Sequence, residues 1–270
     1  MRPFGIFLTG LALMVGCGEK IEVERKVHAQ TGQVITEYEY YHHPETHEKV
    51  RHGYYKTYHV AGKKGYREVG NYNHGQKTGV WTYYQENGNK YLDLILKGGN
   101  EQRFTFYYKN GNKKYEGKTK DGLREGFWTF YRESEKKESE GMYKKAKREG
   151  FWTFYDENGQ KESEGNWKGD KQEGLWRFYH PNGKKREEVT FISGKREGAV
   201  TVYDESGNKR MSGSYKDGKM EGFFTLYHTN GNKRAEGIFA DGKREGLWTQ
   251  YDESGTVLSR KTYKEGEEVK

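Results

Sequence analysis

Three groups of residues in this 270-residue chain have types and spacings that invite chemistry. The first is the stretch His42, His43, Pro44, Glu45, Thr46, His47, Glu48, Arg51 and His52, which holds enough imidazoles and carboxylates for a metal ion. It does not match the His-Glu-x-x-His motif of a helical zinc site, since Pro44 follows His43 and opposes a helix, so it reads as a polar loop with no metal expected. The second is the segment Gly-Lys-Arg-Glu-Gly, at 194–198 and again at 242–246, which looks like a phosphate-binding loop. It lacks the Gly-Lys-Ser/Thr pattern and a following helix, which leaves it as a turn. The third is the single cysteine, Cys17, which excludes an internal disulfide and a cysteine-rich zinc site. The remaining acidic residues recur at a fixed interval, whereas a catalytic group is needed once. A non-enzymatic chain without cofactors is therefore expected.

Cys17 gains its meaning from what precedes it. Residues 1–16 begin with one basic residue, Arg2, and continue as an apolar and small run from Phe4 to Gly16, the plan of a signal peptide. The run is too short for a bilayer span, which needs about 20 residues as a helix. The segment Met14, Val15, Gly16, Cys17 resembles the bacterial lipobox, with Met14 where leucine is usual. That resemblance implies cleavage before Cys17 and lipidation of its thiol, so the chain is expected to be membrane-anchored in the cell envelope. Residues 17–33 then read as a polar tether, and 34–52 as a capping strand and loop.

The elements behind these residues come from a repeat. Only 31% of the chain is hydrophobic, and its mean hydropathy of -1.22 alone would suggest disorder. Yet 23 Tyr, 13 Phe and 6 Trp supply apolar area through rings, each able to bury roughly 150–250 Å². The net charge of +8 is spread in both signs along the chain, which is a solvated surface and no nucleic-acid stripe. From 53 to 270 about nine units begin at Gly53, Gly79, Gln102, Gly126, Gly150, Gly174, Gly198, Gly222 and Gly246, spaced by 24 residues from 102 onward. A fixed period of this length signals stacked units. Phe151 to Tyr155 has strand composition, Asn158-Gly159 is a hairpin turn, and Lys161 to Trp167 is the return strand. The fold class is thus all-β: an elongated open antiparallel sheet of tandem β-hairpins.

The recurring pattern Glu-Gly-x-Trp-x-x-Tyr, Asn-Gly, Lys, Glu-Gly-x-Tyr resembles the MORN repeat in its bacterial variant, over about residues 50–270. The resemblance implies an open twisted sheet of MORN-like hairpins. It also implies binding functions: members with eukaryotic repeats are membrane-associated scaffolds, and many bacterial variants are described as antitoxin components. Two readings follow, an envelope-anchored scaffold that binds protein or membrane, and an antitoxin or immunity protein that blocks a toxin. The partner in either is an unidentified protein, and the chain is expected to be a monomer.

Strand alternation sorts the rings into two faces. Trp81, Trp128, Trp152, Trp176 and Trp248, with Phe130, Phe154 and Phe178, fall on one face and form the candidate binding strip. Core packing is the competing reading for the same rings. The other face carries a tyrosine in every unit, and a second row holds Lys64, Lys90, Lys113, Lys137, Lys161, Lys185, Lys209 and Lys233, which could meet anionic lipid or an acidic partner. Glu116, Glu140, Glu164, Glu188 and Glu236 follow three positions after their lysines, read here as cross-strand charge pairs.

Overall fold

The computed structural model describes residues 7–15, 19–59, 65–96 and 101–269. Cys17, Lys64, the Ala-Gly turn at 61/62 and most of the expected signal-cleavage region lie outside the described residues. The chain divides into two units, Met1–Glu135 and Lys136–Lys270. All regular elements among the described residues are strands, and within each unit every strand pairs antiparallel with the next, leaving the sheet open.

The first unit holds β1 (Phe7–Val15), β2 (Glu19–Val27), β3 (Val34–His42), β4 (Lys49–Tyr58) and β5 (Tyr66–Asn73). It continues with β6 (Gln76–Tyr84), β7 (Lys90–Leu96), β8 (Glu101–Tyr107), β9 (Lys113–Lys120) and β10 (Leu123–Tyr131). Residues 17–33, expected as a tether, contain β2, which pairs with β1 on one side and β3 on the other. The charges of this segment concealed its alternation. Ile21 and Val27 are buried, and the buried Glu24 is met by Lys49 at 2.6 Å, so its carboxylate has a partner. The expected capping strand, β3, is consequently an interior strand. Residues 43–48 form the loop that Pro44 suggested.

The second unit holds β11 (Lys137–Lys144), β12 (Lys147–Tyr155), β13 (Lys161–Lys168), β14 (Lys171–Tyr179), β15 (Lys185–Ile192) and β16 (Lys195–Tyr203). After β17 (Lys209–Lys216) the next strand is broken at Glu221 into β18 (Lys219–Met220) and β19 (Gly222–Tyr227). The unit ends with β20 (Lys233–Ala240), β21 (Lys243–Tyr251), β22 (Val257–Lys264) and β23 (Glu267–Val269). Charge guards this last edge, where Lys261 meets Glu268 at 2.8 Å.

Two kinds of turn alternate. At 169/170 both central residues have positive φ, 58° and 66°, the backbone that matches the twist of the flanking strands. The glutamate of each Glu-Gly step holds the turn of the following hairpin: Glu149 accepts the Gly169 amide at 3.0 Å and Glu173 that of Ser193 at 2.9 Å. At the opposite end Asp156 accepts the amides of Asn158 and Gln160 at 2.8 and 2.9 Å. Recurrent acids are thus turn clamps.

In six hairpins the core is one ring on one glycine. Gly141 lies opposite Trp152, and a Cβ there would sit 2.3 Å from the indole. The same contact joins Gly70 to Trp81, Gly117 to Trp128, Gly165 to Trp176, Gly213 to Phe224 and Gly237 to Trp248. One pair differs on both sides at once. Val200 stands in the tryptophan place, and Val189, its cross-strand partner, in the glycine place. Volume is conserved across the pair.

Candidate functional site

The tryptophans of the expected binding strip are nearly sealed. Trp81, Trp128, Trp152, Trp176 and Trp248 are 0–3% exposed. Each indole N–H donates to a backbone carbonyl, at 3.1 Å to Asn71, 2.9 Å to Lys118 and 3.0 Å to Met142, Asn166 and Ile238 respectively. A ring covered on one side by glycine and neighbouring rings, with its polar edge already bonded, is core. Phe130, Phe154 and Phe178 are half-buried at the margin of that core and do present surface.

In the second unit Phe154 and Phe178 join Trp167 around a shallow hollow of about 290 Å³, edged by Arg148, Glu162, Gln172 and Arg186. The Arg148 guanidinium lies 3.5 Å from the centre of the Trp167 ring. Trp167 Nε1 is buried with no acceptor among the described residues, so this ring has polar capacity to spare. An aromatic wall, two guanidiniums and a carboxylate suit a polar chain laid along the sheet. In the sequence Trp167 only closes a return strand, and nothing in the pattern singles it out.

Exposed apolar surface lies instead on the opposite face. Phe127, Phe151, Phe223 and Leu247 are 49–56% exposed. They are the residues just before the buried tryptophan or phenylalanine, and strand parity alone would have found them.

The tyrosine face carries a repeating triad whose cause is a bulge. Tyr155 pairs with Lys161 while Phe154 pairs with Ser163, leaving Glu162 unpaired. The extra residue brings Lys161 and Glu164, three apart, onto one face of one strand. The expected cross-strand lysine pairing is therefore corrected to pairing along the strand: Lys113 to Glu116 at 3.0 Å, Lys137 to Glu140 at 2.8 Å, Lys161 to Glu164 at 2.8 Å, Lys185 to Glu188 at 3.1 Å and Lys233 to Glu236 at 2.7 Å. Lys90 does the same with Asp93 at 2.9 Å. Arg177 does reach across strands, to Glu188 at 3.1 Å.

A tyrosine from the following forward strand completes each triad, as Tyr155 donates to Glu140 at 2.6 Å and Tyr179 to Glu164 at 2.5 Å. Burial alone pushes Glu140 and Glu164 up, but hydrogen bonds from lysine and tyrosine outweigh it and hold both below the usual carboxylate range. Burial and the bond to the carboxylate push Tyr155 up to about 12, and Tyr179 likewise to about 12.

These shifts define a pH window. Lowered carboxylates stabilise the fold above their unfolded value of about 4.5, and that stability is lost as pH falls through the folded value. Raised tyrosines add stability that is full below about 10 and is lost as pH rises towards about 12. A urea midpoint measured against pH should form a plateau between roughly 5 and 10 with a fall on both sides. An alkaline limb flat to about pH 12 would contradict the triads.

In the second unit Ser212 occupies the glutamate place, leaving Lys209 with no carboxylate partner among the described residues and Tyr227 with the Ser212 hydroxyl at 3.2 Å. Ser212→Glu should raise stability by about 0.5–1 kcal/mol, read as a shift of the urea midpoint at unchanged slope. An unchanged or lower midpoint would show that the triads add nothing.

His42 and His43 have structural partners. His42 Nδ1 is 2.9 Å from the His47 carbonyl, and His43 Nδ1 accepts the Glu45 and Thr46 amides at 3.3 Å. Among the described residues no group of three His, Cys, Asp or Glu could hold a metal ion. No described helix is long and apolar enough to cross a membrane.

One ring on one glycine, a clamped turn and a bulged triad thus recur along the chain as the marks of a repeated unit. The family model for the MORN repeat variant matches residues 148–168, 172–193, 196–217 and 244–265. Residues 148–265 carry MORN-variant repeats. Each matched unit runs from a strand that begins with a Glu-Gly or Arg-Glu-Gly step across its turn to the return strand: β12 and β13, β14 and β15, β16 and β17, and β21 and β22.

No curated protein matches the chain. Among solved structures, the crystal structure of TarM shares 15% identity over 44% of this chain and 19% of that one, with a TM-score of 0.21. The crystal structure of TcdB2-TccC3-TEV shares 11% identity over 95% of this chain and 16% of that one, with a TM-score of 0.24. The chain thus spans under a fifth of the length of either, and likenesses this slight carry no argument about the MORN units.

Proposed function

We propose that this MORN-repeat chain is a non-enzymatic binding platform held at the cell envelope by lipid on Cys17. The observation that carries the anchor is the apolar run from Phe4 to Gly16 ending at the single cysteine. Two acyl chains at about 0.8 kcal/mol per buried methylene are enough for stable attachment. The platform reading is supported by the second unit, where half-buried rings sit beside Arg186, which has no carboxylate partner among the described residues.

The test is fractionation with metabolic palmitate labelling of the wild type and Cys17→Ala. Label in the membrane fraction, lost with its cysteine, is the expected result. Unlabelled, soluble wild type would overturn the anchor and promote the alternative, an antitoxin or immunity protein that blocks a toxin. Growth rescue by an unlipidated form against a neighbouring toxin would then be the decisive observation.

A further inference from the structure

We propose that the core face of the second unit binds an extended acidic polypeptide segment, with one carboxylate at each of Arg186, Arg210 and Arg234. This deepens the platform reading and rests on it.

Charge is settled differently on the two faces of this unit. On the tyrosine face every lysine of the triads except Lys209 has a carboxylate within 3.1 Å. On the core face Arg196 is held by Glu187 through two bonds of 2.6 and 3.0 Å, and Arg148 meets Asp170 at 3.3 Å. Arg186, Arg210 and Arg234 have no carboxylate partner among the described residues. Each is the unpaired residue of a bulge. Arg186 lies 5.8 Å from the centre of the Phe178 ring, at the rim of the hollow. Arg210 Nη1 is buried without an acceptor. A guanidinium in that condition is short of one strong interaction, and a carboxylate supplies it with matching geometry.

The spacing selects the kind of chain. Consecutive arginines are two strands apart, about 10 Å. Three residues of an extended polyproline-type helix advance about 9.3 Å and return to the same side. A segment with an acid at every third residue therefore offers one carboxylate per repeat, while the residues between rest on the half-buried Phe178, Val202 and Leu226. A nucleic-acid duplex, with a phosphate on each strand about every 3.4 Å of its axis, would leave two in three over that apolar floor. In the preceding repeat the same bulge position is Glu162. The row thus changes sign, and a basic residue three positions from the first acid fixes the direction of the bound segment.

The test is fluorescence anisotropy of labelled peptides with the purified full chain. One peptide carries a lysine and then glutamates at every third position; a second has the same composition with the glutamates clustered. The spaced peptide should bind about tenfold more tightly, and the triple variant Arg186→Glu, Arg210→Glu, Arg234→Glu should lose that advantage. Glu162→Arg should weaken the lysine-headed peptide and favour one in which glutamate replaces the lysine, with thermal melts confirming that each variant is folded. Equal affinity for spaced and clustered peptides, undiminished binding by a folded triple variant, or tighter binding of an oligothymidylate of equal charge would overturn the proposal. Any of these leaves the envelope anchor untouched, because that is decided by the label on Cys17.

Discussion

Gly165→Val should destabilise the second unit by about 3 kcal/mol, and adding Trp176→Val should return part of that loss. A Cβ at Gly165 would stand 2.4 Å from Trp176 Cδ2, and both groups are fixed, one by the strand and one by its hydrogen bond to Asn166. Overpacking of this kind costs roughly 1–3 kcal/mol, and the upper end applies where neither side can yield. Trp176→Val alone removes most of an indole from the core, also a loss of several kcal/mol on the scale of about 3–5 for tryptophan to alanine.

The two changes together recreate the Val189 and Val200 pair that the next repeat already uses. A four-protein cycle of urea unfolding should therefore give a coupling of about 1–3 kcal/mol in favour of the double variant. Strict additivity would mean that the valine pair at 189 and 200 depends on its wider surroundings. Those surroundings do differ, since Val202 and Met211 lie where the matching repeat has Phe178 and Glu187.

The second large effect separates core from site. Trp152→Ala should cost about 3–5 kcal/mol, because the indole is 2% exposed and its loss also orphans the Met142 carbonyl. Phe151→Ala, one residue away on the opposite face and 49% exposed, should change stability by no more than about 0.5 kcal/mol. Thermal or urea unfolding of the two variants side by side is the measurement. Similar losses for both would return the tryptophans to consideration as accessible surface.

Both expectations bear on where a partner meets these repeats. A binding strip built on tryptophans would be hard to separate from folding, since every change would unfold the hairpin that presents it. The structure places accessible groups elsewhere: bulge side chains, return-strand rings such as Trp167, and the residue after each Glu-Gly step. These positions tolerate variation, which is why Glu162, Arg186, Arg210 and Arg234 can differ in sign while their tryptophan and glycine neighbours stay paired by size.

Much of this was legible in the sequence because the information is local and periodic. Strand parity assigned Trp152 and Phe154 to one face and Tyr155 to the other, and Asn158-Gly159 located the turn. The period could not reveal the bulge, because one unpaired residue changes no spacing between repeats. Without it Lys161 and Glu164 fall on opposite faces, and a cross-strand partner has to be invoked. For the same reason the arginines at the bulge looked like ordinary surface. The segment 19–27 was misjudged differently: counting its charges hid Ile21, Val27 and the Lys49 partner of Glu24, which comes from β4.

By itself the sequence determined that this chain is built of β-hairpins, how often they recur, which rings share a face and which dipeptides turn, since all of these follow from the geometry of an extended backbone. The tertiary structure decided which of two aromatic rows is sealed. That choice depends on glycine in the neighbouring strand giving the indole a flat floor, a contact between residues 10 or more positions apart that burial energy alone selects.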